Sequence, residues 1–289
     1  MTRSSDGSTA KPRPSLDREE YVEQAYFFQT LLDRLGDNLP LQEVMDSIRH
    51  EILATTKLPL AIDFLLSELK HAGGFGLAMA RLDHYFTPYQ TFVIQQAEDE
   101  RGRFDFRVAL AILQKEAQYR IDEPTREGVF LYQFETLSRN RLVYDAGLGA
   151  SAKDPIFDEN WSDWIYTVRR QIGLVELADL IFVRSVHYLK QAKRRGKQPQ
   201  VEPLFGEKEG KIALANRSKN PLLLFAALQR HLGYPMVPRP QPVDESQDRL
   251  PVMARKIERL EARLKLLEDE QQGGIDLAKF YRGPQAGQP

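Results

Sequence analysis

Glu176, Asp179 and His187 are the residues of this chain whose types and spacing come closest to a chemical constellation. At about 100° per residue in a helix they share nearly one stripe, so Glu-x-x-Asp plus His offers two carboxylates and an imidazole to a metal ion or a substrate. Asp179 also stands in an apolar run, where an ionised carboxylate is costly unless it is paired or hydrogen-bonded. The first reading is therefore structural: Asp179 meets an arginine from a neighbouring helix, with Glu176 and His187 at the solvent edge. A catalytic or metal role for the three is the alternative.

Glu68-Leu69-Lys70-His71 supplies a second candidate, because Glu-x-x-His sets carboxylate and imidazole one turn apart, as di-iron helical bundles require. Such bundles need two of these motifs and two further carboxylates. His50, His84, His187 and His231 lack the spacing, so Glu98 and Glu116 are left to complete a degenerate site. The expectation is no metal and no cofactor. Gly74-Phe75-Gly76 and Ser67-x-x-Lys70 match fragments of nucleotide-binding and acyl-transfer motifs, but lack the strand context and companion residues that give those letters meaning.

Lys190, Lys193, Arg194, Arg195 and Lys197 form a basic cluster beside His187 and Tyr188, and Lys208, Lys211, Arg217 and Lys219 follow closely. Cations are favourable at a helix C-terminus by themselves. Phosphate neutralisation is the alternative use, since it demands a local density of positive charge.

These residues need elements to position them. Residues 161 to 197 read as one long helix, with Trp161, Trp164, Ile165, Val168, Ile172, Val175, Phe182, Val183 and Val186 on one face and Asp179 inside that face. Before it, helix signals recur. Asp17 with Glu20 reads as a capping box, Thr87-Pro88 as a cap followed by a first-turn proline, and Asp105 and Thr125 as caps. After it, Asn220-Pro221 opens a short apolar helix closed by Gly233. No period-two run with a hairpin turn occurs, so the expected fold is all-α, a multi-helix bundle body with a C-terminal coiled-coil helix.

Composition narrows the function classes. The chain has 289 residues, 42% of them hydrophobic, which suffices for a sizeable core. Forty Lys and Arg against 41 Asp and Glu leave a net charge of -1, so electrostatic recognition has to be local. No cysteine is present, which excludes disulfides, thiol nucleophiles and cysteine-ligated metals. No secretory h-region and no long apolar run are seen, and the expected location is cytoplasmic, without membrane contact.

The expected organisation is a disordered tail over residues 1 to 14, a helical body over 15 to 235 with a candidate joint at 145 to 159, and a proline-rich spacer over 236 to 249. A coiled-coil segment over 250 to 271 and a flexible tail over 272 to 289 follow. Leu250, Met253, Ile257, Leu260, Leu264 and Leu267 alternate spacings of three and four, the a and d positions of a heptad. Lys256 and Arg263 at g face Glu261 and Glu268 at e one heptad on, which suits a parallel homodimer. Docking of that helix on a partner helix or on the chain's own body is the alternative. The sequence thus reads as a non-enzymatic interaction or scaffold protein that self-associates. Its alternatives are a polyanion- or nucleic-acid-binding protein and a carboxylate and histidine metal enzyme.

Overall fold

Thirteen helices and no strand form among the described residues, which are 16–35, 40–72, 74–99, 104–197 and 199–240 of a computed structural model. The helices are α1 (Arg18–Arg34), α2 (Leu41–Arg49), α3 (Leu58–Ala72), α4 (Phe75–Arg81), α5 (Pro88–Glu98), α6 (Phe106–Ile121) and α7 (Arg126–Arg139). After them come α8 (Tyr144–Ser151), α9 (Glu159–Gln171), α10 (Leu177–Val183), α11 (Val186–Arg194), α12 (Glu207–Ala215) and α13 (Pro221–Leu232). The fold is all-α, as the sequence pattern predicts. No helix among the described residues is long and apolar enough to cross a membrane.

Several starts are set by the caps read from sequence. Thr87 and Gln90 exchange a full capping box, with Pro88 in the first turn. Thr125 accepts from the Gly128 N–H at 3.1 Å, and Asn220 accepts from the Leu222 N–H at 3.0 Å. Each satisfies a backbone donor that a helix N-terminus leaves unpaired. Gly233, at φ 72°, closes α13 in the left-handed conformation that a side chain disfavours. The capping box expected at Asp17 does not form: Asp17 makes no side-chain cap. Glu20 turns inward instead and accepts from the Lys57 N–H and the Tyr85 hydroxyl, both at 2.9 Å.

The expected single helix from Trp161 to Lys197 is corrected into three. Gly173, at φ 88°, turns the chain after α9, and Leu174 is left 85% exposed. Ser185 makes the second break. Its Oγ donates to the Phe182 carbonyl at 2.7 Å, ending α10, and accepts from the Tyr188 N–H at 3.2 Å, starting α11. The break is braced from outside, since Val186 donates to the Phe205 carbonyl and Leu204 to the Arg184 carbonyl. Gly210 lets α12 approach, because a Cβ there would run into Ser185 and His187. Of the predicted stripe, Trp161, Trp164, Ile165 and Val168 of α9 are buried together, with the two tryptophans among Phe130, Phe157 and Phe205, and Phe182 of α10 is buried separately. Past Gly173 the run Leu174 to Ile181, whose apolar residues on both sides read as a helix covered all round, buries Leu177, Leu180 and Ile181 together with Phe182, while Leu174 and Val183 are exposed.

Residues 145 to 159, read as a candidate joint, hold most of α8 and the buried Asp154. The first residues of the proline-rich stretch lie against the body: Val237 is buried, and Asn140 donates to the Pro238 carbonyl at 3.2 Å. The tails and the heptad residues Leu250, Met253, Ile257, Leu260, Leu264 and Leu267 lie outside the described residues.

Candidate functional site

The turn that divides α9 from α10 also builds a cavity of about 410 Å³. Ile172 to Ala178 form one side, Phe134 and Ser138 of α7 with Tyr144 of α8 another, and Asn216, Lys219, Pro221, Leu224 and Phe225 the third. The lining is mainly aliphatic and aromatic, with a few polar groups, as binding pockets generally are. Among the lining residues Leu174 is a large apolar side chain left exposed.

Glu176 and Asp179 hold this pocket's third side in place. The Asp179 carboxylate pairs with Arg217, whose guanidinium also lies 4.4 Å from the centre of the Phe182 ring. Glu176 accepts from the Ser218 N–H at 2.8 Å, where the chain takes a positive φ of 54°. The arginine partner read for Asp179 is thus present. It comes from the turn between α12 and α13 rather than from a helix, and Asp179 is half-buried rather than inside an apolar face. His187 does not join them: its Nε2 accepts from the Gln191 side-chain amide at 3.0 Å, and its ring packs edge-on to Phe182. The stripe that links the three in one helix is cut at Ser185.

The Glu68 and His71 candidate disperses in the same way. Glu68 pairs with Arg81, and the His71 Nδ1 lies 2.7 Å from its own turn's Ser67 carbonyl. Glu98 caps α4, accepting from the Phe75 and Gly76 N–H groups at 2.6 and 2.7 Å. Among the described residues no group of three or more His, Asp or Glu side chains is placed to hold a metal ion.

The basic cluster is partly spent. Lys190 and Lys211 both pair with Glu207, which holds that carboxyl down at about 2, through hydrogen bonds from the two lysines. Lys193, Arg194, Arg195 and Lys197 remain exposed, with no ion pair among the described residues.

A constellation that sequence reading misses lies in the interior. Arg120 of α6 donates to Glu116 at 3.0 Å and to both oxygens of Asp154, and Gln133 of α7 donates to the same two carboxylates at 2.9 and 3.0 Å. All four side chains are buried. The Tyr21 ring of α1 covers the guanidinium at 5.8 Å. Burial pushes the Glu116 carboxyl up, opposed by Arg120 and assisted by Asp154. Burial acts to lower Arg120, but the two carboxylates outweigh it and hold the guanidinium well above its ordinary range. The Glu116-x-x-x-Arg120 spacing is visible in the sequence, but it reads as an ordinary i,i+4 surface pair. With both carboxylates ionised the cluster carries one negative charge more than its arginine cancels.

Comparison with protein-family models, with curated proteins and with solved structures finds no match for this chain.

Proposed function

We propose that this chain is a non-enzymatic helical interaction or scaffold protein that self-associates through its C-terminal heptad. The observation that supports the reading is the mainly apolar cavity with Leu174 exposed in its lining. A concave, mainly apolar surface on a folded body is the kind of place where another molecule binds. The carboxylates nearest to it, Glu176 and Asp179, serve as ties for a turn. The heptad from Leu250 to Leu267 supplies the means of pairing two copies in parallel.

Light scattering on the full chain tests self-association. The wild type is expected at twice its 33.2 kDa chain mass, and Leu260→Asp/Leu264→Asp at the single mass. A wild type that stays at the single mass at every concentration removes the self-association reading.

Polyanion binding is the second reading, and the four exposed cations Lys193, Arg194, Arg195 and Lys197 support it. It requires retention on an RNA or DNA column that moderate salt abolishes and that is lost when these four become Gln.

A further inference from the structure

Charge is spread unevenly along this chain. Residues 184 to 219, from the α10–α11 break to the start of α13, hold ten Lys and Arg against three Glu, a net charge of +7. The whole chain carries -1, so the remaining residues carry -8. None of the three glutamates pairs with the cations at the end of α11. Glu207 lies between Lys190 and Lys211, Glu209 pairs with His231, and Glu202 accepts from the Asn160 side chain. Two lysines on one carboxylate still leave a positive charge at Glu207.

The fold gathers these charges on two neighbouring helices. Gly210 lies against Ser185 and His187, and Glu207 reaches Lys190, so α11 and α12 run antiparallel. Lys193 and Arg194 stand one turn beyond Lys190, and cations therefore follow one another from Lys211 across Lys190 to the end of α11. The helix dipole accounts for Lys193 and Arg194 in the last turn. It does not account for Lys197, beyond that helix, or for Lys211 inside α12. None of the large apolar or aromatic side chains left exposed among the described residues belongs to residues 184 to 219. Tyr188 packs edge-on to Phe182, and Phe205 is buried. The surface thus offers no apolar residue to enter a lipid bilayer and no open ring on which an unpaired base could stack. What it offers is a row of cations about one helical turn apart, which suits a ligand as densely charged as a nucleic-acid duplex, with one negative charge per about 1.7 Å of its axis.

We propose that the α11–α12 face binds duplex nucleic acid through its phosphates, without reading its sequence. The proposal rests on the polyanion reading and names the ligand of that same surface. Affinity should fall with salt at a logarithmic slope of about -0.9 for each phosphate neutralised, or about -3 to -4 with Lys193, Arg194, Arg195 and Lys197 engaged. Fluorescence anisotropy of the full chain tests it, with two labelled DNA duplexes of unrelated sequence and one RNA duplex. Single strands of the same length, polyglutamate, heparin, and phosphatidylserine vesicles are the comparisons. The two DNA duplexes are expected to bind within about twofold of each other, and the tighter-binding kind of duplex at least tenfold more tightly than vesicles or polyglutamate and threefold more tightly than its single strand. Lys193→Gln/Arg194→Gln/Arg195→Gln/Lys197→Gln should weaken duplex binding at least tenfold and flatten the salt slope. Lys57→Gln/Lys70→Gln/Arg107→Gln/Lys115→Gln removes as many charges elsewhere and should change it twofold at most. All eight side chains are exposed, so both variants are expected to fold, as circular dichroism checks.

Absence of saturable duplex binding, equal losses in the two variants, or vesicles, polyglutamate or single strands bound as tightly as duplex overturns the proposal. A fall in molecular mass at low salt in the first variant also overturns it, because the occupant is then the acidic surface of a second copy. Heparin bound through the four cations without any duplex binding overturns this ligand and keeps the polyanion reading. Failure to bind heparin as well removes both.

Discussion

Two of the arginine–carboxylate sets in this molecule, around Arg120 and around Arg217, differ chiefly in access to water. Around Arg120 the guanidinium, Glu116, Asp154 and Gln133 are buried among α1, α6, α7 and the α8–α9 loop. Around Arg217 the partner Asp179 keeps 37% of its side chain exposed, and so does the arginine. A buried ion pair is no guarantee of net stabilisation, but removing one partner strands the other in a medium of low polarity. An exposed pair is screened and replaceable by water. The interior set therefore reads as a determinant of the fold, and the outer one as a tie that shapes a binding surface.

The sharpest way to break that contrast is to delete Arg120. Arg120→Met leaves two buried carboxylates facing each other, and a loss of about 3–5 kcal/mol in urea unfolding followed by circular dichroism is expected. Adding Glu116→Gln and Asp154→Asn removes the stranded charge and should recover part of the loss, even if the single variant does not fold. A cost for Arg120→Met no larger than that for Asp179→Asn would mean that burial does not rank the two regions.

Glu116 sharpens the comparison through pH. Its carboxyl is pushed above the ordinary value of 4.5, by burial first and Asp154 next, against Arg120. A carboxyl raised on folding contributes stability that is fully present below its unfolded pKa and is lost as pH rises through its folded one. Glu116→Gln has no proton to lose and keeps an oxygen for Arg120 and Gln133. Its unfolding midpoint is expected to gain on the wild type as pH climbs upward from about 5, each unit of pKa shift being worth about 1.4 kcal/mol at most. Parallel pH profiles for the two proteins would show that the proton on Glu116 plays no part.

Much of the helical grammar is legible in the sequence because it is local. Thr87-Pro88, Thr125, and Asn220-Pro221 with Gly233 mark ends that the fold uses, since each cap needs only neighbours within a turn. The long helix from Trp161 misleads for a physical reason. Gly173 and Ser185 are single interruptions in a run whose apolar spacing stays helical, and what enforces the second break, the backbone bonds to Leu204 and Phe205, comes from a distant loop. The interior cluster is hidden in the same way. Glu116 and Arg120 are one turn apart, but Gln133, Asp154 and the Tyr21 cover arrive from three other segments. Asp179's need for an arginine is readable from its apolar neighbours, whereas Arg217 as the partner is not, because the α12–α13 turn that carries it has no periodicity to extrapolate.

The smallest expected effect belongs to that outer pair. Asp179→Asn should change stability by no more than about 0.2–1 kcal/mol, and raised salt should shrink the difference further. Arg217→Ala should cost more than Asp179→Asn, because it also removes the guanidinium from the Phe182 ring, and such contacts contribute about 0.5–1 kcal/mol at exposed sites. A double-mutant cycle on the two residues separates these parts, with the coupling energy reporting the ion pair alone.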